Sequence, residues 1–236
     1  MKRRKVLYLI CIGGLLLLIP GLFSIHDMPN EERRDREPIT IEPDSRMLVA
    51  LTFDDGPNPL YTLQVLDILY EHQALATFFI SGKQIADHVC LLEQMVSDGH
   101  ELANHTYHHY DLTTLSTDEI RREIQRTQEA LEQVLPFYPL QYVRPPFGRY
   151  NDRLQEASHL PIVLWDIDSR DWELRDAEAI FSIVMEKVQD GSIIVFHDDN
   201  PYTVEALKRL VPELIQSGFQ PVTLTQLFER HDHVRP

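Results

Sequence analysis

Basic charge is in short supply in this sequence. Against 37 Asp and Glu stand 22 Lys and Arg, a formal net charge of −15. A surface that neutralises phosphates needs clustered Lys and Arg, so the balance excludes a nucleic-acid partner. Cysteine is nearly absent, with 2 in 236 residues, and a disulfide framework is therefore excluded; the fold has to rest on its core. Cys90 is the only thiol outside the N-terminal segment, and its setting in "QIADHVCLLEQMVSDG" reads as that of a buried structural thiol. No internal repeat, heptad run or low-complexity tract occurs, which rules out solenoids and coiled coils. What is present, 43% hydrophobic and 25% charged residues, suits one globular domain with a short extra segment, and no obligate protein partner is evident.

The extra segment is N-terminal. "KRRK" at 2–5 precedes "VLYLICIGGLLLLIPGLFSI", 20 uncharged residues that reach across ~30 Å of hydrocarbon at ~1.5 Å per residue. Bases before this run and acids after it predict a single-pass anchor over 1–25 in the cell membrane, with the rest extracytoplasmic. Small residues in an A-x-A-like arrangement are missing near Gly21 to Ser24, which favours an uncleaved anchor over a signal segment whose removal would release a secreted protein. Residues 26–46, with "NEERRDREP", read as a solvated linker. The main domain is expected over 47–230, followed by a tail at 231–236.

From residue 47 strands and helices alternate. Strand-like runs lie at 47–53, 75–80, 100–104, 141–144, 161–167, 192–197 and 220–223, and helical stretches at 60–72, 83–97, 116–135, 176–190 and 202–217. The third helix opens on the capping sequence "STDE". Repeated strand-then-helix order predicts an α/β fold with a parallel sheet, either open and doubly wound or a barrel of about seven strands. In both, chemistry gathers at strand ends.

Charged and aromatic groups collect at those ends. "MLVALTFDDGPNP" is an apolar strand that finishes in two adjacent carboxylates, Asp54 and Asp55, whose mutual repulsion and desolvation call for a cation or an arginine. In "ANHTYHH", His105 and His109 stand four apart, a spacing that shares one face of a helical turn. Two imidazoles and one carboxylate make a three-point metal site with open positions. His100 and His108 read as ordinary structural histidines. "YVRPPFGRYN", "WDIDSRDW" and "SIIVFHDD" deliver Arg144, Asp171 and His197 to further strand ends. For Arg144 the plainer alternative is a structural ion pair, and for Asp171 a helix N-cap.

In chain order "TFDDGP", "HTYHH", "RPPFG", "DSRDW" and "IIVFH" resemble the five motifs of the polysaccharide deacetylases, the NodB-homology group or carbohydrate esterase family 4, over residues 47 to 228. The resemblance implies a distorted (β/α) barrel of about seven parallel strands. It also implies hydrolysis of N- or O-acetyl groups on a polysaccharide with a divalent metal. It makes Asp54 the general base and Asp55, His105 and His109 the metal ligands. Arg144 matches the arginine that contacts the base, His197 the general acid and Asp171 the carboxylate that orients it. By the same resemblance the Phe147 N–H faces the oxyanion, Trp172 and Val195 wall an acetyl-sized pocket, and Pro145 belongs to the substrate contacts. The family often has Tyr where Phe147 stands and Leu where Val195 stands. Zinc is the expected metal for a histidine-rich hydrolytic site, with cobalt, nickel, iron or manganese able to use the same ligands. The expected substrate is an acetylated extracytoplasmic glycan, with N-acetylglucosamine-type residues of peptidoglycan ahead of chitin-like oligomers, poly-N-acetylglucosamine or acetylxylan. An iron oxygenase would leave Asp54, Arg144, Asp171 and His197 without roles. A glycoside hydrolase would need its two carboxylates to face each other, unlike neighbours on one strand. A non-catalytic sugar-binding module of the same fold is the remaining alternative.

Overall fold

The computed structural model describes residues 36–41 and 46–232. Among these no helix is long and apolar enough to cross a membrane, and the expected anchor over 1–25 lies outside them. The part of the expected linker that is described packs on the domain. Ile39 is buried and donates its N–H to the Asp98 carbonyl, while Arg36 pairs with Asp67 at 2.7 Å and lies over the Tyr70 ring.

The sheet is parallel and has six strands: β1 (Met47–Asp54), β2 (Thr77–Ile80), β3 (Glu101–Asn104), β4 (Ile167–Asp168), β5 (Ile193–His197) and β6 (Phe219–Val222). Its order is β3-β2-β1-β5-β4, and β6 pairs with the first half of β1. After its first residue β1 is buried throughout, which explains its unbroken apolar run, because a central parallel strand is covered on both faces. Side chains nevertheless alternate. Val49, Leu51 and Phe53 pack outward against Val65, Leu69 and Leu207 of surrounding helices, whereas Leu48 and Ala50 face inward onto Phe79, Ala103 and Val163. Continued by two, the inward set runs through Thr52 to Asp54.

Among the described residues seven helices surround the sheet: α1 (Tyr61–Glu71), α2 (Val89–Ser97), α3 (Thr117–Glu132), α4 (Asp152–Ala157), α5 (Ala177–Lys187), α6 (Pro201–Gln216) and α7 (Leu224–Asp232). The "STDE" signal forms a complete capping box, Ser116 with Glu119, at the start of α3. The expected helix 83–97 is broken. Residues 82–84 form a single 3-10 turn whose Gly82 and Lys83 N–H groups donate to the Thr106 and Tyr107 carbonyls, at 2.9 and 3.1 Å, instead of feeding a helix. Cys90 then falls in the first turn of α2 on its outer side and is exposed, so the buried setting expected for it is corrected. Helices α4 and α7 were not anticipated. The expected strand 141–144 contracts to bridges from Val143 to Asn104 and to Ile162, and the expected strand 161–167 to that bridge plus β4. Prolines 145, 146 and 161 flank these segments, and a residue without an N–H shortens a ladder.

Candidate active site

Register brings the first pair together. On neighbouring strands Asp54 is the Cα partner of His197, and the two-residue period turns both inward at the C-terminal edge of the sheet. Adjacent residues on a continuing strand would diverge, but Asp55 leaves the strand with φ 75°, a left-handed conformation uncommon for a side-chain-bearing residue. That break returns its carboxylate to the same place. The His105 Nε2 lies 3.4 Å from Asp55 Oδ1 and 3.9 Å from Asp54 Oδ2.

His105 and His109 do converge, though not on a helix. Residues 105–109 form an irregular turn with Thr106 at φ 65° and His109 at φ 62°. Such a turn needs outside bonds, and α3 supplies them. Glu123 takes the His108 N–H on one oxygen at 2.8 Å and its Nδ1 on the other at 2.7 Å. Asn104 donates to the Ile124 carbonyl at 2.9 Å while accepting the Thr106 N–H at 2.8 Å. His109 Nε2 reaches Asp55 Oδ1 at 3.0 Å.

The ligand atoms of Asp55, His105 and His109 all lie within 4.8 Å of one another. His105 Nδ1 sits 2.9 Å from the Arg144 carbonyl, which only accepts, so Nδ1 carries the proton and Nε2 is left as the free donor atom aimed at Asp55. A lone pair facing a carboxylate oxygen is repulsive without a positive charge, and a divalent cation satisfies all three groups. These residues fit a metal. Burial works against ionisation of Asp55; with no cation, doubly protonated His105 and His109 hold its carboxyl well below the usual carboxylate range through hydrogen bonds and charge, and a cation on the Nε2 lone pairs would take over that role.

Arg144 is fully buried. Its Nη1 donates to Asp54 Oδ1 and to the Thr52 hydroxyl, both at 2.8 Å, Nε to the Val163 carbonyl at 3.1 Å and Nη2 to the Leu164 carbonyl at 2.8 Å; the Phe79 ring lies 3.9 Å from the guanidinium carbon. Burial lowers the Arg144 pKa against the opposing pull of Asp54. The expected ion pair thus exists, and its partner is the proposed base.

Asp171 is not a helix cap; Asp176 caps α5. Asp171 accepts the His197 Nδ1–H at 2.8 Å, its backbone N–H at 2.7 Å and the Thr203 hydroxyl at 2.6 Å. Burial opposes a charge on His197, but the hydrogen bond and charge of Asp171, aided by Asp54 and Asp55, push its pKa up to about 9.

These groups open into a cavity of about 790 Å³. Val195 lines it from below and is buried, while Trp172 and Phe147 stand exposed at its edge. Phe147 has φ 61°, its ring edge meets His109, and its N–H donates to no described residue. Pro145 is buried and does not line the cavity.

Several contributors were missed. Trp165, Arg149, Arg175 and Tyr202 line the same cavity. Trp165 also supports the Phe147 turn, where a Cβ on Gly148 (φ 64°) would lie 2.7 Å from its ring. Asp198 is fully buried and accepts from the Thr62 hydroxyl, which in turn accepts the Asn58 N–H at 2.7 Å. Burial pushes the Asp198 carboxyl up to about 7. A Cβ on Gly56 would lie 2.3 Å from Asp198 Oδ1, so only glycine fits beside Asp55. The "FHDD" string carried a signal for Asp198, whereas nothing local marked Glu123. His100 is, as read, structural: it is buried, accepts the Ala76 N–H at 3.2 Å, and burial followed by the Arg36 charge takes its pKa down to about 3.

Known proteins are similar to this chain in sequence and in fold. The family described as polysaccharide deacetylase matches residues 42–164. The peptidoglycan-N-acetylmuramic acid deacetylase PdaC of Bacillus subtilis is 37% identical over 206 residues, covering 87% of this chain and 42% of its own length. A chitooligosaccharide deacetylase of Sinorhizobium fredii is 38% identical over 187 residues, covering 72% of this chain and 87% of its own. The solved structure of the Bacillus subtilis PdaC deacetylase superposes with a TM-score of 0.77 at 36% identity, over 80% of this chain and 93% of that one. The chain spans less than half the length of full PdaC. On this evidence the chain belongs to the polysaccharide deacetylase family.

Proposed function

We propose that this chain is a metal-dependent hydrolase that removes N-acetyl groups from a polysaccharide. One observation carries the reading: Asp54, the Asp55–His105–His109 set and the His197–Asp171 pair share a single cavity, with Asp54 and His197 in register on adjacent strands.

Asp55, His105 and His109 would hold the cation. When bound, a divalent metal supplies Lewis-acid polarisation of the acetyl carbonyl and acidification of water. Asp54, fixed through Oδ1 by Arg144, takes the proton of the attacking water on Oδ2. The unpaired Phe147 N–H donates to the developing oxyanion. His197, with Asp171 on Nδ1, gives its Nε2 proton to the sugar nitrogen, since an amine leaves poorly as an anion. Val195 and Trp172 enclose the acetyl group.

Zinc suits this nitrogen-rich set best, with cobalt, nickel, iron and manganese as alternatives. The bridges through Val143, joined to β3 on one side and to Ile162 on the other, support reading the sheet as the incomplete barrel expected from the motifs. A relative that acts on peptidoglycan, together with the uncharged run behind "KRRK", supports a wall glycan as substrate and an extracytoplasmic, membrane-tethered domain.

Acetate release from a panel of acetylated glycans, with and without added metals, tests the reading. Asp54→Asn should retain the metal and lose roughly 10²- to 10⁴-fold in turnover, whereas Asp55→Asn should lose metal affinity first. No metal-dependent release from any glycan would leave a sugar-binding module. Metal loss in Asp54→Asn with retention in Asp55→Asn would exchange the two roles.

A further inference from the structure

The pole opposite the cavity carries two features that the chemistry does not use. The strands run parallel, so Met47, Thr77, Glu101, Ile193 and Phe219 open them at one pole, while Asp54, Asn104 and His197 close them at the other, beside the cavity. The segment 36–41 docks at the first pole. Ile39 donates its N–H to the Asp98 carbonyl at 3.0 Å, just ahead of β3, and Arg36 reaches Asp67 and Tyr70 in the second half of α1, which leads back to the start of β2.

The loop after α3 is the second feature. In a chain of net charge −15, "QVLPFYPLQ" at 133–141 holds no charged residue, and Phe137 at its centre is 99% exposed with φ 70°. A left-handed backbone is uncommon for a residue of this size, and here it is held in place. The Tyr138 hydroxyl accepts the Leu102 N–H at 2.9 Å, and the Gln128 side chain donates to the Tyr138 carbonyl at 3.1 Å and accepts the Leu140 N–H at 2.9 Å. Val134, Leu135 and Tyr138 pack on the core. The loop is therefore a fixed projection rather than a loose end. Asp98 and Leu102 stand four residues apart across the entry to β3, so the docked segment and the loop share one pole.

What covers the exposed ring depends on what the pole can meet. A second copy needs ~800 Å² on each side, more than one projecting loop supplies. A bilayer interface asks only for an uncharged aromatic projection of shallow depth, and the acidic body leaves apolar entry as the means of contact. The tether argues for the same partner. Ten residues, 26–35, separate the uncharged N-terminal run from Arg36 and span at most ~35 Å, so the pole that receives them is the part of the domain held nearest the bilayer.

We propose that this pole is the membrane-facing surface of the domain, with Phe137 entering the headgroup layer of the bilayer that the N-terminal run spans. The inference rests on the membrane-tethered reading and adds an orientation to it. β1, 8 residues long at ~3.3 Å per residue, sets Asp54 ~26 Å farther out along the strand. The cavity then faces away from the lipid, toward assembled glycan strands, and out of reach of a lipid-linked saccharide at the headgroups.

The test uses the full chain, with Cys11→Ser, in phosphatidylcholine vesicles that carry a fluorescence quencher at the headgroup. A fluorophore is placed either on Gln133→Cys, with Cys90→Ser, or on the native Cys90. Gln133 is exposed near Phe137, and Cys90 is exposed at the site-side end of α2. Quenching should be strong at 133 and weak at 90. Phe137→Asp should lower the ratio of docked to free domain, read from the quenching at 133, by about tenfold, the share of one buried aromatic side chain. The ring is exposed and an aspartate accepts the left-handed backbone, so this substitution leaves the fold intact. Equal quenching at the two positions, or quenching at 133 that Phe137→Asp leaves unchanged, overturns the surface. A chain that floats with the vesicles and is quenched equally at both positions keeps its tether without this surface, whereas a chain that does not float loses both.

Discussion

Asp171→Asn isolates the charge behind the proposed acid. Asparagine keeps the shape, and its carbonyl still accepts the His197 N–H and the Thr203 hydroxyl, but its NH₂ faces Nδ1, where a carboxylate had stood. The imidazolium loses its support. With Asp171 present, His197 titrates at about 9; without it the pKa falls toward the ordinary 6.5. At pH 8 the protonated fraction then drops from about 0.9 to about 0.03, a loss of about 30-fold in the acid form, while at pH 6 the loss is only about 1.3-fold. A cation on Asp55 offsets part of the carboxylate attraction and moves both curves down together, leaving their separation. The assay is kcat/KM for acetate release across pH 5.5 to 9.5, in which the alkaline limb should move to lower pH by roughly 2 units. Linkage gives a second readout with its own sign. The folded pKa is raised, so the stabilisation is fully present below about pH 6.5 and disappears as pH rises through about 9; in urea titrations the wild type should lose up to about 3 kcal/mol over that window and Asp171→Asn little. A rate loss of equal size at every pH, with the alkaline limb unmoved, would refute the reasoning.

Arg144→Ala leaves Asp54 buried without its cation and should destabilise the fold by about 3–5 kcal/mol in denaturant unfolding. Adding Asp54→Asn should recover part of that loss, and a cost below about 1 kcal/mol would show that the pair does not matter in this way. Glu123→Ala releases the turn that carries His105 and His109 and should weaken metal affinity by about 10- to 100-fold in chelator competition, with Glu123→Gln partly restoring it. A fall in melting temperature with unchanged metal affinity would make Glu123 a fold residue only.

The chain by itself determined the order of elements and the chemistry at their ends. The unbroken apolar run of β1, the "STDE" cap of α3 and the five motif strings are local patterns, and local patterns survive without neighbours. Cys90 and the helix expected at 83–97 show where such patterns fail: tertiary bonds from Gly82 and Lys83 to the ligand turn break the helix, and the shifted start of α2 exposes the thiol. Prolines were visible, yet the shortening of the strands around Val143 and Ile162 depended on which neighbours those residues met. Convergence of the site was decided only by tertiary structure. The β1–β5 register sets Asp54 beside His197, and the left-handed Asp55 turns a carboxylate that a continuing strand would have sent to the other face. Glu123 and Trp165 reach the ligand turn and the Phe147 turn from elements distant in sequence. Side-chain type and spacing specify which atoms are available, whereas strand register and the few positive-φ residues specify which of them meet, because a shift of one residue in a period-two strand reverses every side chain it carries.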